Sequence, residues 1–81
     1  MSVYSVNAEP TIIAGREETK HVFCNGSDAA TGGGWAMPPN DVTVTASYPH
    51  SNGSGWTVVF SNDQATGSAP VDLYVICAEL G

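Results

Sequence analysis

Two cysteines, two histidines and eight carboxylates are the groups in this 81-residue chain best placed to do chemistry. Cys24 and Cys77 lie 53 positions apart, each at the end of an apolar stretch, and their natural chemistry is mutual, a disulfide. In the loop-closure model such a bridge removes denatured-chain entropy worth about 4 kcal/mol, a large share of the stability of so small a domain. The competing reading is two buried thiols behaving as small hydrophobes. No basic segment followed by an apolar run stands behind Met1, so no signal peptide is expected, and synthesis in a reducing compartment would favour the free thiols. Two cysteines at this separation fit neither a zinc site nor a redox motif.

His21 and His50 sit beside aromatic or apolar neighbours and not within an acidic cluster, so no metal site is assigned. A three-histidine site would need three chains to contribute. The eight serines supply no Gly-x-Ser-x-Gly elbow, because Gly53-Ser54-Gly55 lacks the spacing and no helix follows it. No catalytic residue is assigned and no cofactor is expected. Gly32-Gly33-Gly34 precedes Trp35 with no Lys and no helix to receive a phosphate, so its role is read as geometric. Asn25-Gly26-Ser27 and Asn52-Gly53-Ser54 match the glycosylation pattern but read better as turns. Trp35, Tyr48 and Trp56 have the flat faces on which sugar rings stack. Trp56 shares a face with Val58 and Phe60 and is expected in the core; Trp35 and Tyr48 are open between core and contact surface.

The elements positioning these groups are strands. Nine Val, three Ile and seven Thr stand against two Leu, and no window has helical periodicity. The expected fold is all-β, a small antiparallel sandwich or barrel-like domain of about five to seven short strands. Pro10 divides two β-prone pieces, Tyr4 to Val6 and Thr11 to Ala14, so residues 1–18 are read as an N-terminal arm and residues 19–81 as the β-domain. Thr19 to Cys24 alternates, with Val22 and Cys24 on the inward side, and Asn25-Gly26 is expected to turn it back as a hairpin into Asp28 to Met37, ended by Pro38-Pro39-Asn40. Val42, Val44 and Ala46 are expected inward, Thr43, Thr45 and Ser47 outward, in a strand pairing with Trp56 to Ser61. Tyr48 to Gly55 and Asn62 to Pro70 read as polar loops. In the last strand Val71, Leu73, Val75 and Cys77 face one side; the other carries Tyr74 and Ile76, apolar enough to require a central position or a covering subunit.

Net charge of −6, from eight acids against Arg16 and Lys20, would repel a phosphate backbone and excludes nucleic acid as a partner. The longest apolar run, Leu73 to Ala78, is too short to span a membrane as a helix, and none is expected as a partner. At 42% hydrophobic and 12% charged the chain has the composition of a folded domain.

One combination of features is more specific: Cys24, the triplet Gly32-Gly33-Gly34, the Val-rich strand Val42 to Ala46, Ser47-Tyr48-Pro49, Gly55-Trp56-Thr57-Val58, Asn62, and Leu73-Tyr74-Val75-Ile76-Cys77-Ala78. Over residues 19–79 this pattern resembles the small β-modules at the C-termini of phage tail-fibre and collagen-like proteins and in some secreted bacterial proteins. The resemblance implies a non-enzymatic module that caps, trimerises or displays, with Cys24 and Cys77 as its bridge. It departs from those modules in being a short chain with its own Met1. The function expected from it is that of a structural virion protein of a tailed phage, a capsid decoration or cement protein located on the virion. Its expected partners are itself, as a homotrimer, and the major capsid protein, with Trp35, Tyr48, Tyr74 and Ile76 as contact residues. The competing class is an extracellular or tail-tip module that binds carbohydrate or a receptor.

Overall fold

The computed structural model describes residues 2–36 and 41–79. Eight strands are present among them: β1 (Val3–Ala8), β2 (Thr11–Ile13), β3 (Glu17–Phe23), β4 (Ala29–Trp35), β5 (Val42–Pro49), β6 (Gly55–Asn62), β7 (Ser68–Pro70) and β8 (Leu73–Ala78). All pairing is antiparallel. One sheet has the order β1-β8-β4 and the other β3-β6-β5, and they pack face to face; β2 and β7 form a separate two-stranded ribbon. The all-β sandwich expected from composition and alternation is the fold, with eight strands rather than five to seven. The expected Pro38-Pro39-Asn40 stop lies outside the described residues, as does Met37.

The core follows from period-two alternation. Val22, Val58 and Phe60 from one sheet meet Leu73, Val75 and Cys77 from the other, all buried, and Ile12, Ala69 and Val71 extend the same cluster under the ribbon. The two central strands β6 and β8 are the most apolar because each has neighbours on both sides.

Three local expectations are corrected. The stretch expected as an arm, residues 1–18, carries strands of the body from Val3 onward: β1 pairs with β8 over its whole length, from Val3 opposite Ala78 to Ala8 opposite Leu73, and Ile12 is fully buried. The short alternation Tyr4, Val6, Ala8 supplies an inward face that packs against the core. Pro10 marks the passage between two strands, and its carbonyl accepts from Val71 N–H at 2.9 Å.

The second correction concerns Asn25-Gly26. Gly26 has φ of 53°, as turn chemistry expects, and Asp28 N–H donates to the Asn25 carbonyl at 3.1 Å. The chain does not return along β3, however; it crosses the sandwich and β4 joins β8. There the Gly triplet has its use, because a Cβ on Gly33 would lie 2.2 Å from Cγ of Trp56. Trp56 therefore packs on bare backbone of the opposing sheet, and β4 must be that backbone.

The third is a change of face within β5. The register slips between Val44 and Ala46, so Ala46 pairs with Val59 and Ser47 with Val58. Ala46 turns outward and Ser47 inward, reversing their expected sides beyond the bulge. The bulge places Ser47 Oγ 2.8 Å from Trp56 Nε1, where it accepts the indole N–H. The loop expected over Asn62 to Pro70 also contains β7.

Candidate functional site

Cys24 and Cys77 are disulfide-bonded, with Cα atoms 5.9 Å apart. Cys24 immediately follows β3 and Cys77 lies in β8, so the bond joins the two sheets. Around it the Tyr4 hydroxyl donates to Asp28 Oδ2 and accepts from Asn25 N–H at 3.0 Å, while Cys24 N–H donates to Ser54 O at 2.7 Å. Ser54 Oγ donates to Asp28 O, and Ala30 N–H donates to Gly53 O at 2.9 Å. The β5–β6 loop is thereby tied to both sheets. Partial burial, and then the hydrogen bond to Asp28 that the protonated phenol donates, hold the Tyr4 hydroxyl above the usual tyrosine range.

Tyr74 and Ile76 lie side by side on the outer face of the first sheet, as alternation placed them. Beside them on that face are Val3, Ser5 and Asn7 of β1 and Gly32 and Gly34 of β4. Gly34 lies against the Tyr74 hydroxyl: a Cβ there would meet it at 2.9 Å. Ile76 is 36% exposed. β8 is central in its sheet, but that position flanks the strand and leaves its apolar second side uncovered among the described residues. The outer face carries no charged side chain. Among all eight strands only β3, with Glu17, Glu18 and Lys20, holds charge; the remaining charges of the described residues lie in turns and loops.

Trp35 and Tyr48 are both exposed, at 42% and 47%, but they do not meet. Trp35 ends β4 opposite Leu73, next to the ribbon, whereas Tyr48 lies on the outer face of the other sheet, opposite Thr57 and toward the disulfide end. The four expected contact residues thus divide into the Tyr74–Ile76 pair and two separate side chains. Trp56, expected in the core, is half-buried against it.

Tyr48 has neighbours that the sequence reading did not group. Opposite Thr57 on its other side is His21, and Phe23 lies two residues further along, opposite Gly55. The His21 and His50 rings meet edge-on with centroids 4.9 Å apart, and Phe23 meets His50 at 5.0 Å. Phe23 covers Gly55, where a Cβ would fall 2.6 Å from the ring. The signal was present in the alternation of His21 and Phe23, but His50 joins them through the β5–β6 pairing, which one strand alone does not reveal.

The chemistry open to this cluster is limited by its hydrogen bonds. His50 Nδ1 accepts from Asn52 N–H at 3.2 Å, so the neutral ring carries its proton on Nε2 and offers no free lone pair to a metal. His21 Nδ1 is 2.9 Å from Thr57 Oγ1, yet that hydroxyl is buried beneath it, out of reach of a substrate. No group of three or more His, Cys, Asp or Glu suited to a metal ion occurs among the described residues.

At the opposite end, Glu18 Oε2 accepts from Ile13 N–H at 2.9 Å and Glu18 Oε1 pairs with Lys20 Nζ at 3.1 Å. The Ile13 N–H, and after it Lys20, hold the Glu18 carboxyl below the usual carboxylate range. Asn62, 1% exposed, donates from Nδ2 to Ile12 O at 2.8 Å and accepts on Oδ1 from Gln64 N–H at 2.9 Å.

Comparison with protein-family models, with curated proteins and with solved structures finds no match.

Proposed function

We propose that the chain is a non-enzymatic structural protein that docks on a larger assembly, a virion protein of a tailed phage of the capsid-decoration or cement type, acting as a symmetric oligomer and most simply a trimer. The observation that carries this reading is the uncharged outer face of the first sheet. In a chain of net charge −6, that face, with Val3, Tyr74 and Ile76, is where copies can meet without setting like charges against one another. The resemblance of residues 19–79 to phage-fibre modules supplies the setting, and the bridge between the sheets suits a protein whose work is to keep its shape. The major capsid protein is the second partner of this reading.

Native mass spectrometry of the unreduced protein tests it. A trimer that Ile76→Glu converts to a monomer, with an unchanged circular-dichroism spectrum, is the expected result. A wild-type monomer at tens of micromolar would overturn the oligomer.

The exposed rings of Phe23 and Tyr48, flanking His21 on the other sheet, favour carbohydrate binding as a second reading. It moves the sugar platform away from Trp35. Glycan-array binding that Tyr48→Ala and Phe23→Ala both remove would select it.

A further inference from the structure

Among the described residues each three-stranded sheet has two free edges, and the four differ in how they resist pairing with another chain. β3 carries Glu17, Glu18 and Lys20. β4 has three glycines and a register shift between Ala30 and Gly32. β5 has a bulge between Val44 and Ala46 and ends at Pro49. Charge, bulges and proline are the devices by which edge strands are kept from recruiting new partners. β1 has none of them: Val3-Tyr4-Ser5-Val6-Asn7-Ala8 contains no charge, Gly or Pro, and its register with β8 is unbroken.

The ladder also defines what that edge presents. Glu79 N–H donates to Ser2 O at 3.0 Å, which sets the alternation, so Ser2, Tyr4, Val6 and Ala8 direct their backbone groups to β8. Val3, Ser5 and Asn7 direct theirs outward, and all three residues are exposed. The inward side chains of the same strand, Tyr4, Val6 and Ala8, pack on the core but are only half-buried, because no strand of the described residues continues the sheet beside them.

We propose that the β1 edge accepts an extended segment of a partner protein as a fourth strand, and that this segment carries Lys or Arg at its ends. Backbone bonds would form at Val3, Ser5 and Asn7, and the guest's inward side chains would cover Tyr4, Val6 and Ala8. The charge requirement comes from Glu9, which follows β1 at one end, and Glu79, which lies beside Ser2 at the other. The same charges argue against a second copy as the guest. Two β1 strands related by a two-fold must run antiparallel, and centred on Ser5 this brings Glu9 of each copy toward Glu79 of the other. The proposal names a partner for the docking reading above and rests on that reading for its setting; its test does not use the outer face.

The probes are the acetylated, amidated peptide Lys-Lys-Val-Thr-Val-Thr-Val-Lys-Lys and its counterpart with Glu in place of every Lys, titrated into the 15N-labelled, disulfide-bonded protein. With the basic peptide, the Val3, Ser5 and Asn7 amide signals are expected to shift and their hydrogen exchange to slow, and the acidic peptide should bind at least about tenfold more weakly. Ser5→Pro removes an outward N–H that β8 does not use, so the fold should survive while binding is lost. Ser5→Lys gives a second block of the edge should Ser5→Pro disturb the sheet. Binding that persists in Ser5→Lys, shifts confined to β3 or β5, no shift at millimolar basic peptide, or a self-dimer protected at Val3, Ser5 and Asn7 would each overturn the proposal. The Ile76→Glu mass-spectrometry result reads the outer face separately, so either idea can fail without the other.

Discussion

The two ends of the sandwich are closed by different chemistry. At one, a covalent bond between Cys24 and Cys77 joins the sheets, with Tyr4, Asp28 and Ser54 hydrogen-bonded around it. At the other, the β2–β7 ribbon adds Ile12 and Ala69 to the shared core and is held by Asn62 on Ile12 O and by Glu18 on Ile13 N–H, both from the second sheet, while Ala14 N–H on Gly67 O at 2.8 Å joins its own two strands. A small domain has too little apolar surface to close both ends by burial alone. The closures therefore carry different sensitivities: the first to reductant, the second to loss of a single polar side chain and to acid.

The largest effect should come from breaking the covalent end. Reduction, or Cys24→Ala with Cys77→Ala, is expected to cost about 4 kcal/mol in urea unfolding, since the loop released spans 53 residues. A loss under about 1 kcal/mol would mean the hydrogen bonds around Tyr4 and Ser54 close this end without the bridge. At the ribbon end, Asn62→Ala should cost about 3 kcal/mol, because it leaves the Ile12 carbonyl without its partner and opens a hole in a buried site. Hydrogen exchange should show β2 and β7 opening first; uniform loss across both ends would erase the distinction.

The middle of the sandwich gives an internal standard. Gly33→Ala should cost about 2 kcal/mol, since its Cβ would enter the Trp56 ring. Gly34→Ala should cost less, because what it meets first is the hydroxyl end of the Tyr74 side chain at 2.9 Å and not the middle of a packed ring, and Gly32→Ala, facing open space, should be close to neutral. Thermal unfolding of the three variants checks the order.

The smallest effect is the acid response of the ribbon end. The folded-state pKa of Glu18 is depressed, so its contribution is present above the unfolded carboxylate's range and is lost as pH falls through the lower folded value. Glu18→Gln should therefore lower Tm slightly at neutral pH, with the difference from wild type vanishing in acid. A gap that stays constant with pH would assign the effect to packing.

The disulfide was the legible closure, because cysteine is scarce and its partner could only be the other cysteine. Asn62 was not: an Asn at the mouth of a Ser-, Thr- and Gly-rich stretch has the look of a loop residue, and its carbonyl partner, Ile12, is 50 positions away. The same limit hid the His21–Phe23–His50 cluster, made from one strand and the β5–β6 loop, and separated Trp35 from Tyr48, which their aromatic type had grouped. Tyr74 and Ile76 were readable as neighbours because both belong to one strand, where the period of two decides the face.

By itself the sequence determined what depends on composition and short periods: an all-β chain, the inward faces of β3, β6 and β8, a Gly turn at Gly26 and a staple available at Cys24 and Cys77. Only tertiary structure decided which strands became neighbours. It wove the expected arm into the body, sent β4 to the sheet opposite β3 and turned β5 over at its bulge. The physical reason is that alternation specifies a face but not a partner. Pairing is settled by what fits across the sandwich, here the Trp56 ring against Gly33, and that contact is invisible along the chain.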